Sequence, residues 1–229
     1  MTPDARALRE TSLLKAALSC FETDQWESVS VAHIARQAGV AKGTFYLHFA
    51  SKQEIYARLA LESYQRVLRQ CVNIQASDSS TRLRSFIRTA LEHNIARPEY
   101  RRVMQYCQRE DFRSNLDPEL AKTFIDQEEQ FRSMLAEILT RGLQDGSWNT
   151  PVSVTLPGIC CTISGALNQM HCDSNNEDKS QMEFITSVTD YIVSGVEHCT
   201  KVKSDTNRSL RGRTSSHHLT AGRALEDVK

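Results

Sequence analysis

The run Gly39-Val40-Ala41-Lys42-Gly43-Thr44-Phe45-Tyr46-Leu47-His48-Phe49-Ala50-Ser51-Lys52 decides how the first part of this chain folds. Just before it, Val31, Ile34, Ala35 and Ala38 recur at the spacing of a short helix face. Two helices that cross steeply over a tight turn need a small side chain where they touch. They also need a residue that tolerates positive φ between them. Ala35 and Gly39 supply the two, and Ile34, Ala38, Val40 and Phe45 suit the small core between the helices. Phe45 and Phe49 read as core residues.

The same periodicity extends in both directions. Leu14, Ala17, Leu18 and Phe21 mark a helix from about Asp4 to Thr23. Downstream, Ile55, Tyr56, Leu59, Ala60, Ser63, Tyr64, Val67 and Leu68 mark a long helix with Ser51 as its N-cap. Residues 76–81 are polar and serine-rich, which predicts a loop. Leu83 to Leu91 form the next helix, stopping before Pro98, and Tyr100 to Cys107 a shorter one. Three long helices follow: Leu120 to about Gly142, about Val154 to His171, and about Ser180 to Lys201. Pro157 must lie in the first turn of its helix or kink it. Gly and Pro are scarce, at 9 and 5, and little of the chain alternates with period two. The fold class is therefore all-α, with about nine helices. The expected organisation is a helix-turn-helix domain over 1–50, a connecting helix over 51–75, a helical bundle over 76–203, and a basic, disordered tail over 204–229.

The elements Ser30 to Ala35 (Ser-Val-x-x-Ile-Ala), Ala38-Gly39-Val40, Gly43-Thr44, Tyr46, His48-Phe49 and Ser51-Lys52, with the alanine-rich first helix, resemble the TetR (tetracycline-repressor-type) family of bacterial regulators. The resemblance covers roughly residues 10–60. It implies that Ala41 to Leu47 is a recognition helix in the major groove of double-stranded DNA. The residue types agree with that task. Lys42 projects from the first turn toward a phosphate or a guanine edge, and Gly43 permits close approach of the backbone. Thr44, Tyr46 and His48 offer donors for phosphate oxygens, and Lys52 adds charge. Ser30 both caps the second helix and presents backbone N–H groups to a phosphate. Tyr46 also has a packing reading, His48 a helix-capping one and Lys52 that of a solvated surface charge. The chain departs from the family at Ala41 and Val29, where hydroxyl residues are usual, and at Gln25 and His33. The recognition helix is thus expected to lack a side-chain N-cap.

The resemblance further implies a homodimer binding a palindromic operator, because one helix-turn-helix reads too few base pairs. The last two helices should form the dimer face: Gly158, Ser164, Gly165 and Ala166 for close approach, with an apolar face of Met182, Ile185, Val188, Ile192 and Val196. The middle helices should enclose a pocket for a small-molecule inducer. Its candidate lining residues are Met104, Cys107, Phe124, Glu128, Phe131 and Asn168, each also readable as plain core. Glu128, on the apolar side of its helix, wants a partner.

Composition limits the alternatives. The formal charge is zero, but residues 1–70 hold nine Lys/Arg against seven Asp/Glu, residues 71–200 twelve against eighteen, and residues 201–229 seven against three. This distribution permits DNA contact at the N-terminal end. No apolar run approaches the ~18 residues of a membrane span, and Met1 to Glu10 lacks the apolar stretch of a signal peptide. The expectation is a cytoplasmic protein. The seven cysteines form no C-x-x-C pair and read as reduced, mostly buried thiols, with redox sensing by Cys160/Cys161 or Cys107 as the lesser reading. No E-x-x-H, H-x-x-x-H, phosphate loop or G-x-S-x-G motif is present, so neither an enzyme nor a metal or other cofactor is expected. The competing reading is a helical adaptor that uses its helix-turn-helix as a protein-contact scaffold. The clustering of Lys42, Thr44, Tyr46, His48 and Lys52 speaks for DNA instead.

Overall fold

Gly39, at φ +70°, closes the helix-turn-helix. Its N–H donates to the Arg36 carbonyl, and the Val40 N–H reaches back to the Ala35 carbonyl at 2.9 Å. This is a Schellman ending, in which the residue after the cap must be left-handed. It joins helix α2 (Val31–Gln37) to α3 (Lys42–Tyr46). A computed structural model describes residues 3–22, 28–172 and 178–198. The basic tail 204–229, Gln25 and Cys199 lie outside these residues.

Among the described residues there are ten α-helices and no strand. The remaining elements are α1 (Pro3–Ser19) with a 3-10 turn (Cys20–Glu22), α4 (Lys52–Val72), α5 (Ser79–Ala96) and α6 (Pro98–Cys107). After them come α7 (Glu110–Arg113), α8 (Pro118–Gln144), α9 (Val152–Cys172) and α10 (Asp178–His198). The all-α expectation holds. The helix beyond the expected nine is α7, whose four residues are too few to show a periodicity.

Local signals explain the boundaries. The Ser51 hydroxyl accepts from the Glu54 N–H at 3.0 Å, and the Glu54 carboxylate takes the Ala50 N–H at 2.7 Å. That is a capping box displaced by one residue. Asp78 caps α5 and Asp117 caps α8, while Pro98 and Pro118 open α6 and α8. Pro157 lies in the second turn of α9, so the helix loses one backbone bond there. Gly142 does not end α8, which runs on to Gln144. The Trp148 indole packs over Gly142 and donates to the Leu139 carbonyl at 2.8 Å. The turn to positive φ falls at Gly146 instead.

Two clusters of buried side chains hold the helices together. The first joins α1 to α4 with α6, α7 and the start of α8 through Phe21, Phe45, Phe49, Tyr56, Val103 and Phe112. The second joins the end of α4 with α5, α8, α9 and α10 around Phe86, Leu135, Trp148 and Ile185. The loop falls at 73–78, earlier than the expected 76–81, because Asp78 caps α5 from Ser79 onward, and α6 packs back against the first helices of the chain.

Candidate functional site

α3 stands on the first core by Phe45, which is fully buried, and Phe49 closes the same cluster. Anchoring on one face turns the other outward. Lys42 and Gly43 are exposed, Thr44 is half-buried, and Tyr46 and Leu47 are 50% and 70% exposed. Ala41 precedes α3 in extended conformation with no side-chain cap, as its missing hydroxyl predicts. A Cβ placed on Gly43 meets nothing within 4 Å. The fold itself therefore does not demand glycine there.

Ser30 caps α2, accepting from the His33 N–H at 3.2 Å. The Lys52 ammonium donates to the Val29 carbonyl at 3.0 Å and lies 5.7 Å from the Tyr56 ring centre. Half-buried Lys52 thus braces the residue before the α2 cap as well as adding charge. His48 sits differently from the other candidates. Both its ring nitrogens are shielded from solvent and make no hydrogen bond, so in this conformation it neither caps α3 nor offers an open donor. The sequence reading passed over Arg36, which is exposed on α2 with its guanidinium 3.2 Å from His33 Nδ1. An arginine off the Ile34 and Ala35 face of the helix before the turn was the available signal.

A cavity of about 410 Å³ lies among α4 to α9. Met104, Glu128, Phe131 and Asn168 line it. Cys107 and Phe124 do not: both are buried in the first core. Glu128 has the partner its position called for, since Arg113 pairs with it and the Tyr64 hydroxyl donates to it at 3.3 Å. Burial raises the Tyr64 phenol well above its ordinary value. Arg101, buried and unforeseen from sequence, also lines the cavity. Gln105 bridges to the Asn168 side chain and the Leu167 carbonyl, tying α6 to α9.

The expected dimer face needs correction. Ile185, Ile192 and Val196 are buried within the chain's own second core, as is Ala166 on α9. What faces outward is Val154, Gly158, Cys161, Ser164 and Gly165 on α9 and Tyr191 and Gly195 on α10. Tyr191 is 73% exposed. Burial raises the thiols of Cys20, Cys71 and Cys107, Cys71 to about 12. Buried thiols held protonated in this way are unreactive. Among the described residues no group of three or more His, Cys, Asp or Glu is placed to hold a metal ion. No described helix is long and apolar enough to cross a membrane.

Residues 13–59 match the family described as bacterial regulatory proteins, tetR family. Similarity to the uncharacterised transcriptional regulator YuxN of Bacillus subtilis is 28% identity over 74 residues, 32% of this chain but 25% of that protein. With the transcriptional repressor KstR2 of Mycolicibacterium smegmatis it is 28% over 162 residues, 68% of this chain and 75% of that one. The regulator FadR of Bacillus subtilis, solved in complex with stearoyl-CoA, has the same fold, with a TM-score of 0.67 at 22% identity. That superposition covers 81% of this chain and 98% of FadR. Residues 13–59 thus carry a helix-turn-helix segment of the tetR family, and the described helices share the fold of solved TetR-family regulators.

Proposed function

We propose that this protein is a repressor that binds a palindromic operator as a homodimer through α2 and α3 and is released by a small-molecule inducer held in the α4–α9 cavity. The observation that carries it is the division of α3 into a buried Phe45 face and an exposed Lys42, Gly43 and Tyr46 face. Such a face offers a cation, an approachable backbone and a phenol to the groove, on a rigid support. Lys42, Thr44, Tyr46 and Ser30 act in direct contact, and Gly43 by letting the duplex come close. Lys52 acts both by charge and by fixing α2. His48 acts once its ring turns outward on the duplex. Arg36 joins them as a phosphate contact.

The outward stripe of α9 and α10, rich in small residues around Tyr191, suits a two-fold helical interface. Ligand and duplex are coupled through α4, which carries Ser63 and Tyr64 at the cavity and Lys52 and Tyr56 at the DNA-reading unit. Edge-to-face rings, Phe21 on Tyr56, Tyr56 on Tyr106 and Tyr106 on Phe112, continue to Arg113 beside Glu128. A ligand that favours one placement of these helices over another shifts the spacing of the two reading heads. The relatives named KstR2 repressor and FadR, the latter solved with stearoyl-CoA, support the reading of a repressor with a ligand.

The test is selection of the full-length protein against random duplexes, followed by a titration of the best sequence across salt concentrations. A two-fold symmetric site, bound by two subunits with affinity falling steeply as salt rises and lost with Tyr46→Ala, is expected. Enrichment of no sequence, with weak binding even at low salt, rejects the reading.

A further inference from the structure

The cavity contains a cation without an anion. Arg101, on the first turn of α6, is 7% exposed and lines the cavity wall. Its Nε is shielded from water and has no hydrogen-bond partner. The neighbouring charges do not answer it. Glu128 is taken by Arg113 and Tyr64, Glu62 by Arg66 and the Tyr100 hydroxyl, and Arg102 repels it. An arginine stays charged in any protein setting, and a buried charge is retained at a cost unless something pairs with it. The charged side chains around the cavity are three arginines, Arg101, Arg113 and Arg132, against one carboxylate, Glu128. The rest of the wall sets apolar side chains, Val67, Ala90, Met104, Phe131, Ile163 and Leu167, among amides and hydroxyls.

From this we infer that the cavity takes an organic anion with an apolar body, whose charged oxygens pair with the Arg101 guanidinium. The inference rests on the reading of the cavity as the regulator's ligand site and adds the ligand's charge and its anchor. Size narrows the body. A volume of about 410 Å³ lies at the lower part of the range of cavities that bury a small organic molecule, which a ten-carbon carboxylate suits as a probe. The anion is either a free carboxylate inside the cavity or a phosphate of a larger carrier joined to the acyl chain; the pairing chemistry is the same.

The test uses full-length protein and three probes of one chain length: decanoate, decanol and decanoyl-CoA. Calorimetry gives affinities for the wild type, Arg101→Gln and Arg101→Lys, with circular dichroism confirming their folds. Fluorescence anisotropy on the selected duplex is run in parallel. Decanoate should bind more tightly than decanol. Arg101→Gln should weaken decanoate roughly 10- to 100-fold and leave decanol unchanged, and Arg101→Lys should lie between. If decanoyl-CoA rather than decanoate shows that dependence, the anion is the carrier's phosphate. Equal binding of decanoate and decanol by wild type and Arg101→Gln overturns the inference, as does binding of none of the three. Duplex binding separates these failures from failure of the regulator reading, which alone predicts that the unliganded protein holds DNA. Arg101→Met gives a second check without ligand. An unpaired buried charge predicts a higher melting temperature for that variant, whereas an arginine needed for packing predicts a lower one.

Discussion

The Lys52 ammonium donates to the Val29 carbonyl at 3.0 Å, fastening the first turn of α4 to the residue before the α2 cap. The long helix that reaches the cavity thus holds one end of the helix-turn-helix directly. Lys52→Ala is expected to lower the melting temperature and the duplex affinity together. The stability loss should be about 1 kcal/mol, that of a hydrogen bond to a charged group partly open to water. Tyr46→Ala should lower affinity alone, because its ring is half exposed. Thermal melts and anisotropy titrations on both variants check this.

Glycine serves two different purposes in the motif, and alanine separates them. At Gly39, φ is +70°, and alanine should cost about 1–2 kcal/mol. At Gly43 a Cβ has open space, so alanine should be neutral or stabilise α3 by up to about 1 kcal/mol. Duplex affinity should nevertheless fall for Gly43→Ala. Loss of stability at Gly43, or unchanged affinity there, would remove the close-approach argument.

Ala41 leaves α3 without a side-chain cap. Ala41→Ser should therefore raise stability by about 0.5–2 kcal/mol, measured by urea unfolding. A stabilisation with intact duplex binding would show that the missing cap is a local weakness unrelated to recognition.

His93 is buried, with its Nε2 3.1 Å from the Ser63 hydroxyl. Its pKa is lowered by burial first, then by Arg97 and Arg66. The unfolded chain therefore binds its proton more readily than the folded one, starting near 6.5. Stability contributed here is complete above that pH and declines as pH falls from it toward the folded value. His93→Gln should flatten the decline in melting temperature below neutrality. An unaltered pH profile in that variant would assign the decline to other groups.

Alkylation tests the outward stripe. Cys161 is exposed while Cys20, Cys71 and Cys107 are buried, so Cys161 should react first among these by mass spectrometry. If α9 and α10 meet across the dimer, that reaction should slow at concentrations where sedimentation shows two subunits. Fast labelling of Cys161 in a demonstrated dimer would place the interface elsewhere.

The helix-turn-helix was readable because its determinants are local. Ala35, Gly39 and Phe45 sit within one short stretch, and each is required by a turn or a contact between adjacent helices. The outward Lys42 and Tyr46 follow once Phe45 is placed inward, since helical spacing sets which residues share a face. The all-α class followed equally from periodicity. An apolar stripe, however, reports only that a helix buries one side, and not what it buries that side against. Ile185, Ile192 and Val196 met the chain's own core. Cys107 and Phe124 fell on the core side of helices whose Met104 and Phe131 line the cavity. Lys52 and Arg101 depended on tertiary structure in the same way. A long cationic side chain finds its surroundings only when distant helices dock, so the Val29 bond and the uncompensated charge in the cavity exist only in the folded chain.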